Sequence, residues 1–141
     1  MATQPTKREK RPRRKAEPAI RFTLDHANRT LPLVRRIVED IVRTFAEVAE
    51  LEKGLRTHRP VGELSGQALR DAHTHKFEHL HELVDELTDI GCELKDAQRG
   101  LVDFPAEKDG RPIYLCWLQG EDKIAHWHEL ETGFAGRQPI E

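Results

Sequence analysis

The chain has 141 residues, of which 37% are hydrophobic and 34% are charged, and its formal net charge at pH 7 is −2. This length fits one domain that buries a core without metal or disulfide staples, and no apolar run reaches the roughly 18 residues that a membrane span requires. No apolar segment follows the basic N-terminal residues, so we expect no secretory signal and a cytoplasmic location. In the reducing cytosol, Cys92 and Cys116 are expected to stay free thiols.

The first 21 residues form a basic arm that differs in charge from the rest of the chain. They hold eight Lys or Arg against two Glu, whereas the other 120 residues hold 15 basic and 23 acidic residues. The arm is predicted to be disordered because it cannot bury enough surface to offset its ordering entropy. It is either a solubilising extension or a weak contact for nucleic acid or an anionic membrane surface. The acidic remainder argues against nucleic acid lying across the folded domain.

Residues 24–91 are predicted to form a long antiparallel helical hairpin. Thr23 or Asp25 caps a short helical turn, and Pro32 then restarts the helix. Apolar residues recur from there at steps of three and four, which predicts a helix of about 25 residues. This first stripe consists of Leu31, Val34, Val38, Ile41, Phe45, Val48 and Leu55.

A second helix follows a loop over residues 58–66, where a proline and two glycines stop the first helix. Its apolar stripe runs from Leu69 to Ile90, and Gly91 is the residue type that suits a left-handed helix end. Two long stripes joined by a short loop predict packing close to that of a coiled coil. We also expect the helices to help the chain self-associate, so that its partner is a second copy or another protein.

After Gly91 the hydrophobic period changes from helical to two, which predicts strands. Residues 92–141 are therefore predicted to form a small antiparallel meander of three or four strands and a tail. With the hairpin, they complete a single α+β domain over residues 22–141. Turn residues at Asp109-Gly110 and Gly120-Glu121 separate the strand segments. The segments are 93–95, 101–105, 111–118 and 123–129.

The two turns set the predicted strand registers. A two-residue turn at Asp109-Gly110 places Asp103 opposite Cys116, and one at Gly120-Glu121 places Cys116 opposite Ala125. The more apolar face is expected to pack on the helices and carries Val102, Phe104, Ile113, Leu115, Trp117, Ile124, His126 and His128. The other face carries Asp103, Tyr114, Cys116, Ala125 and Trp127.

This second face is predicted to be open and to bind something. Its aromatic and acidic side chains form an amphipathic patch for a second copy, a partner protein or a small ligand. The alternative is that residues 133–136 fold back and cover it. Arg137 either clamps a carboxylate or phosphate, or forms an ion pair with Asp103 or Glu121. The predicted binding residues are Asp103, Tyr114, Cys116, Trp127, His128 and Arg137.

The C-terminal third also carries a densely spaced signature. It reads Gly100-Leu101-Val102-Asp103-Phe104-Pro105, Leu115-Cys116-Trp117, Gly120-Glu121, Trp127-His128, Gly133-Phe134 and Arg137. With residues 22–33, this pattern resembles a bacterial domain family of unknown function over about 120 residues. The resemblance implies an architecture and no reaction, because no activity is established for the family. One departure is His26 where the family has a glutamate, which removes the capping box at Thr23.

Metal binding is the sharpest chemical hypothesis in the sequence. Cysteine, histidine and aspartate are zinc ligands, and a His-x-His pair on a strand points both rings to one face. The predicted register, however, places Cys116 and Asp103 on the opposite face from both histidines. We therefore expect no cofactor, with zinc held by Cys116, His126 and His128 as the alternative. The second helix offers a chelating pair, His75 and His79, whose expected occupant is adventitious metal in vitro.

Catalysis has less support than binding. Aromatic neighbours and Asp103 disfavour the thiolate of Cys116 that a nucleophile needs. The sequence contains no phosphate-cradling glycine loop, dinucleotide fingerprint or Ser-His-Asp context. The predicted function is a non-enzymatic binding or assembly module that works through the C-terminal sheet and tail. The alternative is a small metal-dependent or cysteine-dependent enzyme that uses Cys116, His126 and His128.

Overall fold

The computed structural model of the chain describes residues 21–141, so the predicted disordered arm lies outside the described residues apart from Arg21. The helices are α1 (Leu24–Thr57) and α2 (Gly66–Ile90), and the strands are β1 (Glu93–Asp96), β2 (Leu101–Lys108), β3 (Arg111–Leu118), β4 (His126–Glu129) and β5 (Gln138–Pro139). A short 3-10 helix, Phe134–Gly136, precedes β5. The strands form one antiparallel sheet in chain order. The predicted α+β fold is confirmed, with five strands rather than three or four.

Helix α1 is continuous over 34 residues and does not restart at Pro32. The side chain of Thr23 caps it by accepting a hydrogen bond from a first-turn N–H at 3.1 Å. Pro32 is exposed, whereas Ala27, Leu31 and Val34 are buried on the opposite side of the helix. A proline removes one backbone hydrogen bond, and on the exposed side water can satisfy the freed carbonyl. The predicted restart is wrong because the packed stripe carries the helix across this position.

Helix α2 ends where the sequence predicts. Gly91 adopts the left-handed conformation, with φ of 108°, and its N–H donates to carbonyls of the last helical turn. The two helices pack as the predicted hairpin, and between them an ion pair joins Lys76 to Glu47 and a hydrogen bond joins His73 to Glu52. Within residues 21–141, no helix has both the length and the apolar character needed to cross a membrane.

The hydrophobic core lies between the helical hairpin and one face of the sheet. The helices contribute the apolar side of the predicted stripes, and the strands contribute alternate residues, as a sheet with one buried face requires. Fully buried large side chains include Val34, Val38, Ile41, Leu87, Val102, Phe104, Trp117 and Ile124. The opposite face of the sheet does not pack on the helices, so a functional site can form there.

Gly100, in the turn between β1 and β2, is packed too closely for any side chain. Its φ is +74°, and an added Cβ would lie 2.8 Å from Gln119 Cβ and 3.0 Å from Val38 Cγ1. We expect Gly100→Ala to lower the free energy of unfolding by about 2–3 kcal/mol, since it combines backbone strain with overpacking. Gly110→Ala is the matched control, because Gly110 has a similar φ of +79° and no neighbouring atom within 4 Å.

Urea denaturation of the two variants measures this difference. The control is expected to lose about 1 kcal/mol from strain alone. Equal losses for the two substitutions would contradict the packing argument, because the variants differ in their surroundings and share their backbone conformation.

The register between β2 and β3 is the predicted one, and the register between β3 and β4 is not. Asp103 lies opposite Cys116, as the Asp109-Gly110 turn predicts. Cys116, however, lies opposite His126, one residue beyond the predicted Ala125. A slip of one residue exchanges the two faces of a strand.

The slip arises because residues 119–125 form a loop bound to α1 instead of a two-residue turn. The Asn28 side chain accepts a hydrogen bond from the Ile124 N–H at 2.8 Å, and Arg35 donates to the Asp122 carbonyl at 2.9 Å. Because of these bonds, residues of the loop that would pair with β3 in a tight hairpin contact α1 instead. As a result, β4 begins one register position later.

The corrected register moves three residues of the predicted site. Trp127, predicted on the open face, lies opposite Leu115 and belongs to the core, where 8% of it is exposed. His126 and His128, predicted against the helices, lie on the face of Asp103 and Cys116 instead. The prediction that His126 and His128 lie on the opposite face from Cys116 is therefore wrong.

Candidate functional site

Three buried polar side chains meet at the centre of the sheet face that points away from the helices. They are Asp103 on β2, Cys116 on β3 and His128 on β4, and each is at most 2% exposed. A carboxylate oxygen, the thiol sulfur and a ring nitrogen all lie within 4.8 Å of one another. We call these three residues the buried triad. Among residues 21–141 it is the only group of three or more histidine, cysteine or acidic side chains with this spacing.

Both ring nitrogens of His128 face hydrogen-bond acceptors. Nδ1 lies 2.7 Å from the carbonyl oxygen of Glu129, and Nε2 lies 2.9 Å from Oδ1 of Asp103. Since a neutral imidazole donates from only one nitrogen, a neutral ring beside a carboxylate would leave two acceptors facing each other. Either the ring is an imidazolium or the carboxyl of Asp103 is protonated. In both cases the pair holds one proton more than a neutral histidine and a carboxylate.

Burial disfavours the charged forms of Asp103 and Cys116. It raises the pKa of Asp103, and the hydrogen bond from His128 opposes that rise. It also raises the pKa of Cys116 to about 12, and the charge of Asp103, which accepts a hydrogen bond from the thiol, adds to the effect. The thiol is therefore protonated near neutral pH. This state is unfavourable for a cysteine nucleophile, which reacts as the thiolate.

The predicted open patch is wrong, because Asp103 and Cys116 are buried, and the C-terminal tail contacts the triad through Arg137, just beyond the segment 133–136 predicted as the alternative cover. Arg137 reaches Cys116, with Nη1 3.9 Å from Sγ. The same guanidinium lies 4.8 Å from the Phe134 ring, and Arg99 lies 4.9 Å from that ring. The triad at the centre of this face is buried, whereas Tyr114 and His126 beside it are half-buried.

Arg137 forms the predicted ion pair with Glu121, not with Asp103. Its two terminal nitrogens meet the two carboxylate oxygens of Glu121 as a fork, which is the strongest geometry for such a pair. Nη2 also donates to Nδ1 of His126 at 2.9 Å. Burial opposes ionisation of Glu121, yet the bond from Arg137 brings the pKa of this carboxyl below its ordinary value.

Tyr114 lies at the margin of the site. Its ring centroid is 5.5 Å from that of His128, and Lys95 Nζ is 4.9 Å from the Tyr114 ring. Burial raises the pKa of Tyr114, and a hydrogen bond to Glu93 raises it further. Lys95 also bonds Glu93 at 3.1 Å. Glu93, which lies opposite Asp103 because β1 pairs with β2, was not among the predicted site residues.

The donor atoms of the triad suit a zinc ion better than the set predicted from the sequence. His126 is not part of the group because its Nδ1 accepts from Arg137, and Asp103 takes its place. In His128 the Nδ1–H is held by a backbone carbonyl, which leaves Nε2 directed at the site. Histidines that bind metals are oriented in this way by a bond from the other nitrogen. Thiolate, carboxylate and imidazole are all zinc ligands.

Residues 21–140 match the model of one protein family, which is described as an uncharacterized conserved protein (DUF2203). No curated protein and no solved structure matches the chain. The family description carries no activity, ligand or partner. The chemistry of the site is therefore the basis for a functional interpretation.

Proposed function

Because the chain belongs to the DUF2203 family of uncharacterised conserved proteins, we propose its function from the buried triad: it is a binding module for a divalent transition metal ion of the zinc class. The ligands are Asp103, Cys116 and His128. The observation that carries this proposal is the convergence of three different zinc-ligand atoms within 4.8 Å at a buried position. The proposal agrees with the prediction of a binding module that works through the C-terminal sheet and tail, and it specifies a metal ion as the ligand.

Charge balance supports a divalent ion in this position. Ionised Cys116 and Asp103 together carry two negative charges, which neutralise a dication in a buried site where an uncompensated charge is costly. The nearby Arg137 and Glu121 neutralise each other. The extra proton shared by Asp103 and His128 lies between the same two atoms that the metal would join. The dication would thus replace that proton and the thiol proton of Cys116, and the net charge of the site would stay the same.

Three protein ligands leave one tetrahedral position for water or a small ligand. Structural zinc sites normally use four protein ligands, whereas catalytic sites use three and keep one position open. This count is what favours a small metal-dependent enzyme as the second candidate. A cysteine-dependent enzyme is not favoured, because the thiol of Cys116 is protonated near neutral pH.

Zinc titration of the chelator-treated protein tests the proposal. We expect one ion per chain for the wild type, and a loss of affinity of at least about 100-fold for Cys116→Ala, since removing a ligand costs more than removing its outer partners. Cys92→Ala is the matched control. Cys92 is also a buried free thiol whose pKa burial raises to about 12, and it is not a member of the triad.

The control is expected to bind zinc as the wild type does. Either a wild type that takes up no stoichiometric zinc, or a Cys116→Ala variant with unchanged affinity, would contradict the proposal.

The predictions about cell location and partners remain part of this proposal. A cytoplasmic location would keep Cys116 reduced and available as a ligand. Self-association through the helices, and weak contact with nucleic acid through the basic arm, also stay predictions. Deletion of residues 1–21 tests the latter, because binding to nucleic acid that survives the deletion cannot come from the arm.

A further inference from the structure

The tail beyond β4 is a surface strap without a buried residue. From Leu130 to Glu141 every position is exposed or half-buried. Its strand β5 has two residues, and its 3-10 helix has three. Segments with few buried apolar contacts open locally at a free-energy cost below that of global unfolding. Through Arg137 this segment nevertheless contacts Cys116, a member of the almost fully buried triad.

Arg137 is the point at which the strap is tied to the site. Its guanidinium bonds the Glu121 carboxylate, His126 Nδ1 and the sulfur of Cys116. Glu121 is itself fixed, because its Oε1 accepts a hydrogen bond from the Leu118 N–H at the end of β3, at 2.8 Å. The fork of Arg137 therefore joins the strap to the rigid sheet.

We infer that the strap from residue 133 to residue 138 is a clasp, fastened by the Arg137–Glu121 pair, that controls access to Cys116 and thereby the exchange of the metal. The control of metal exchange rests on the proposed function. The control of access to Cys116 applies to the metal-free protein as well. Arg137 is a positioning residue in this account, since it touches a ligand atom and is not a ligand.

Removing Arg137 would have two opposite effects on the rate at which the Cys116 thiol is alkylated. The positive charge of Arg137 favours the thiolate, so its removal alone would slow alkylation of Cys116. Unfastening the strap would expose the sulfur and accelerate alkylation. The sign of the change in rate therefore separates a clasp from a purely electrostatic role.

The test is the rate at which iodoacetamide alkylates Cys116 in chelator-treated protein, in a Cys92→Ala background, over a range of pH. We expect Arg137→Gln to raise the rate at least about tenfold at every pH, because local opening becomes more frequent. Glu121→Gln breaks the same ion pair and keeps the cation, so it is expected to raise the rate as well. Arg99→Gln is the matched control, with a change below about threefold, because Arg99 contacts the Phe134 ring and not Cys116 or Glu121.

Rates that fall or stay unchanged in both Arg137→Gln and Glu121→Gln would overturn the clasp. In zinc-loaded protein, the same two variants are expected to release zinc to a chelator faster than the wild type by a similar factor. If the wild type binds no zinc, the proposed function fails while alkylation still reports on the clasp. The two failures are therefore distinguishable.

Discussion

Asp103→Ala is expected to lower the free energy of unfolding of the metal-free protein by about 2–4 kcal/mol. Asp103 is 2% exposed and is the hydrogen-bond partner of both His128 and Cys116. Its removal leaves Nε2 of His128 and the S–H of Cys116 without their hydrogen-bond partner, at about 1–3 kcal/mol each, with the weak thiol donor at the low end. Urea denaturation in the presence of a chelator measures the loss without a contribution from metal binding.

Asp103→Asn is the informative comparison, because the amide can satisfy the same network. Its NH₂ group can donate to Nε2 of a neutral His128 whose Nδ1–H still donates to the Glu129 carbonyl. The side-chain oxygen can accept from the thiol of Cys116. We expect Asp103→Asn to lower the free energy of unfolding by less than half as much as Asp103→Ala does. Equal losses would contradict the hydrogen-bond assignment, and a negligible loss in Asp103→Ala would contradict the importance of the buried network.

The apparent zinc affinity is expected to rise at least about 100-fold between pH 6 and pH 8. Metal binding displaces the thiol proton of Cys116, whose pKa burial raises to about 12, so the thiol stays protonated throughout this range. The metal-free protein therefore holds more protons than the loaded protein, and higher pH favours loading. Each displaced proton contributes about tenfold per pH unit. Competition with a chelator of known pH dependence measures the effect.

The ion would also displace the proton shared by Asp103 and His128, so the slope for the wild type should exceed one proton per ion. Asp103→Asn provides the control, because an amide and a neutral histidine hold no extra proton. Its affinity is expected to be weaker and its slope closer to one proton. An affinity that is independent of pH in the wild type would show that no thiol proton is displaced, and would contradict Cys116 as a ligand.

Local sequence patterns predicted the elements of the fold well. The apolar stripes gave the hairpin, Gly91 gave the end of α2, and Asp109-Gly110 gave the turn that sets Asp103 opposite Cys116. These features depend on residues close together in the chain. The restart predicted at Pro32 is wrong because α1 continues through this position, stabilised by tertiary packing that a local pattern does not contain.

The assembly of the site depends on long-range contacts that no local pattern contains, those between α1 and the loop over residues 119–125. Asn28 on α1 holds Ile124, which lies 96 positions away, and the resulting loop shifts β4 by one residue. That shift brings His128 to Cys116 and removes Trp127 to the core. Arg137 and Glu121 were anticipated as one of two possible ion pairs, but the position of the tail over the triad could not be derived from composition.

X-ray absorption at the zinc edge of the loaded wild-type protein is the decisive test of the metal centre, because it reports the atoms bound to the metal. We expect one sulfur at about 2.3 Å and the remaining ligands as nitrogen or oxygen at about 2.0–2.2 Å in a tetrahedral set. Cys116→Ala should lack the sulfur, and Cys92→Ala should retain it. A wild-type zinc shell without sulfur would contradict a metal centre at Asp103, Cys116 and His128.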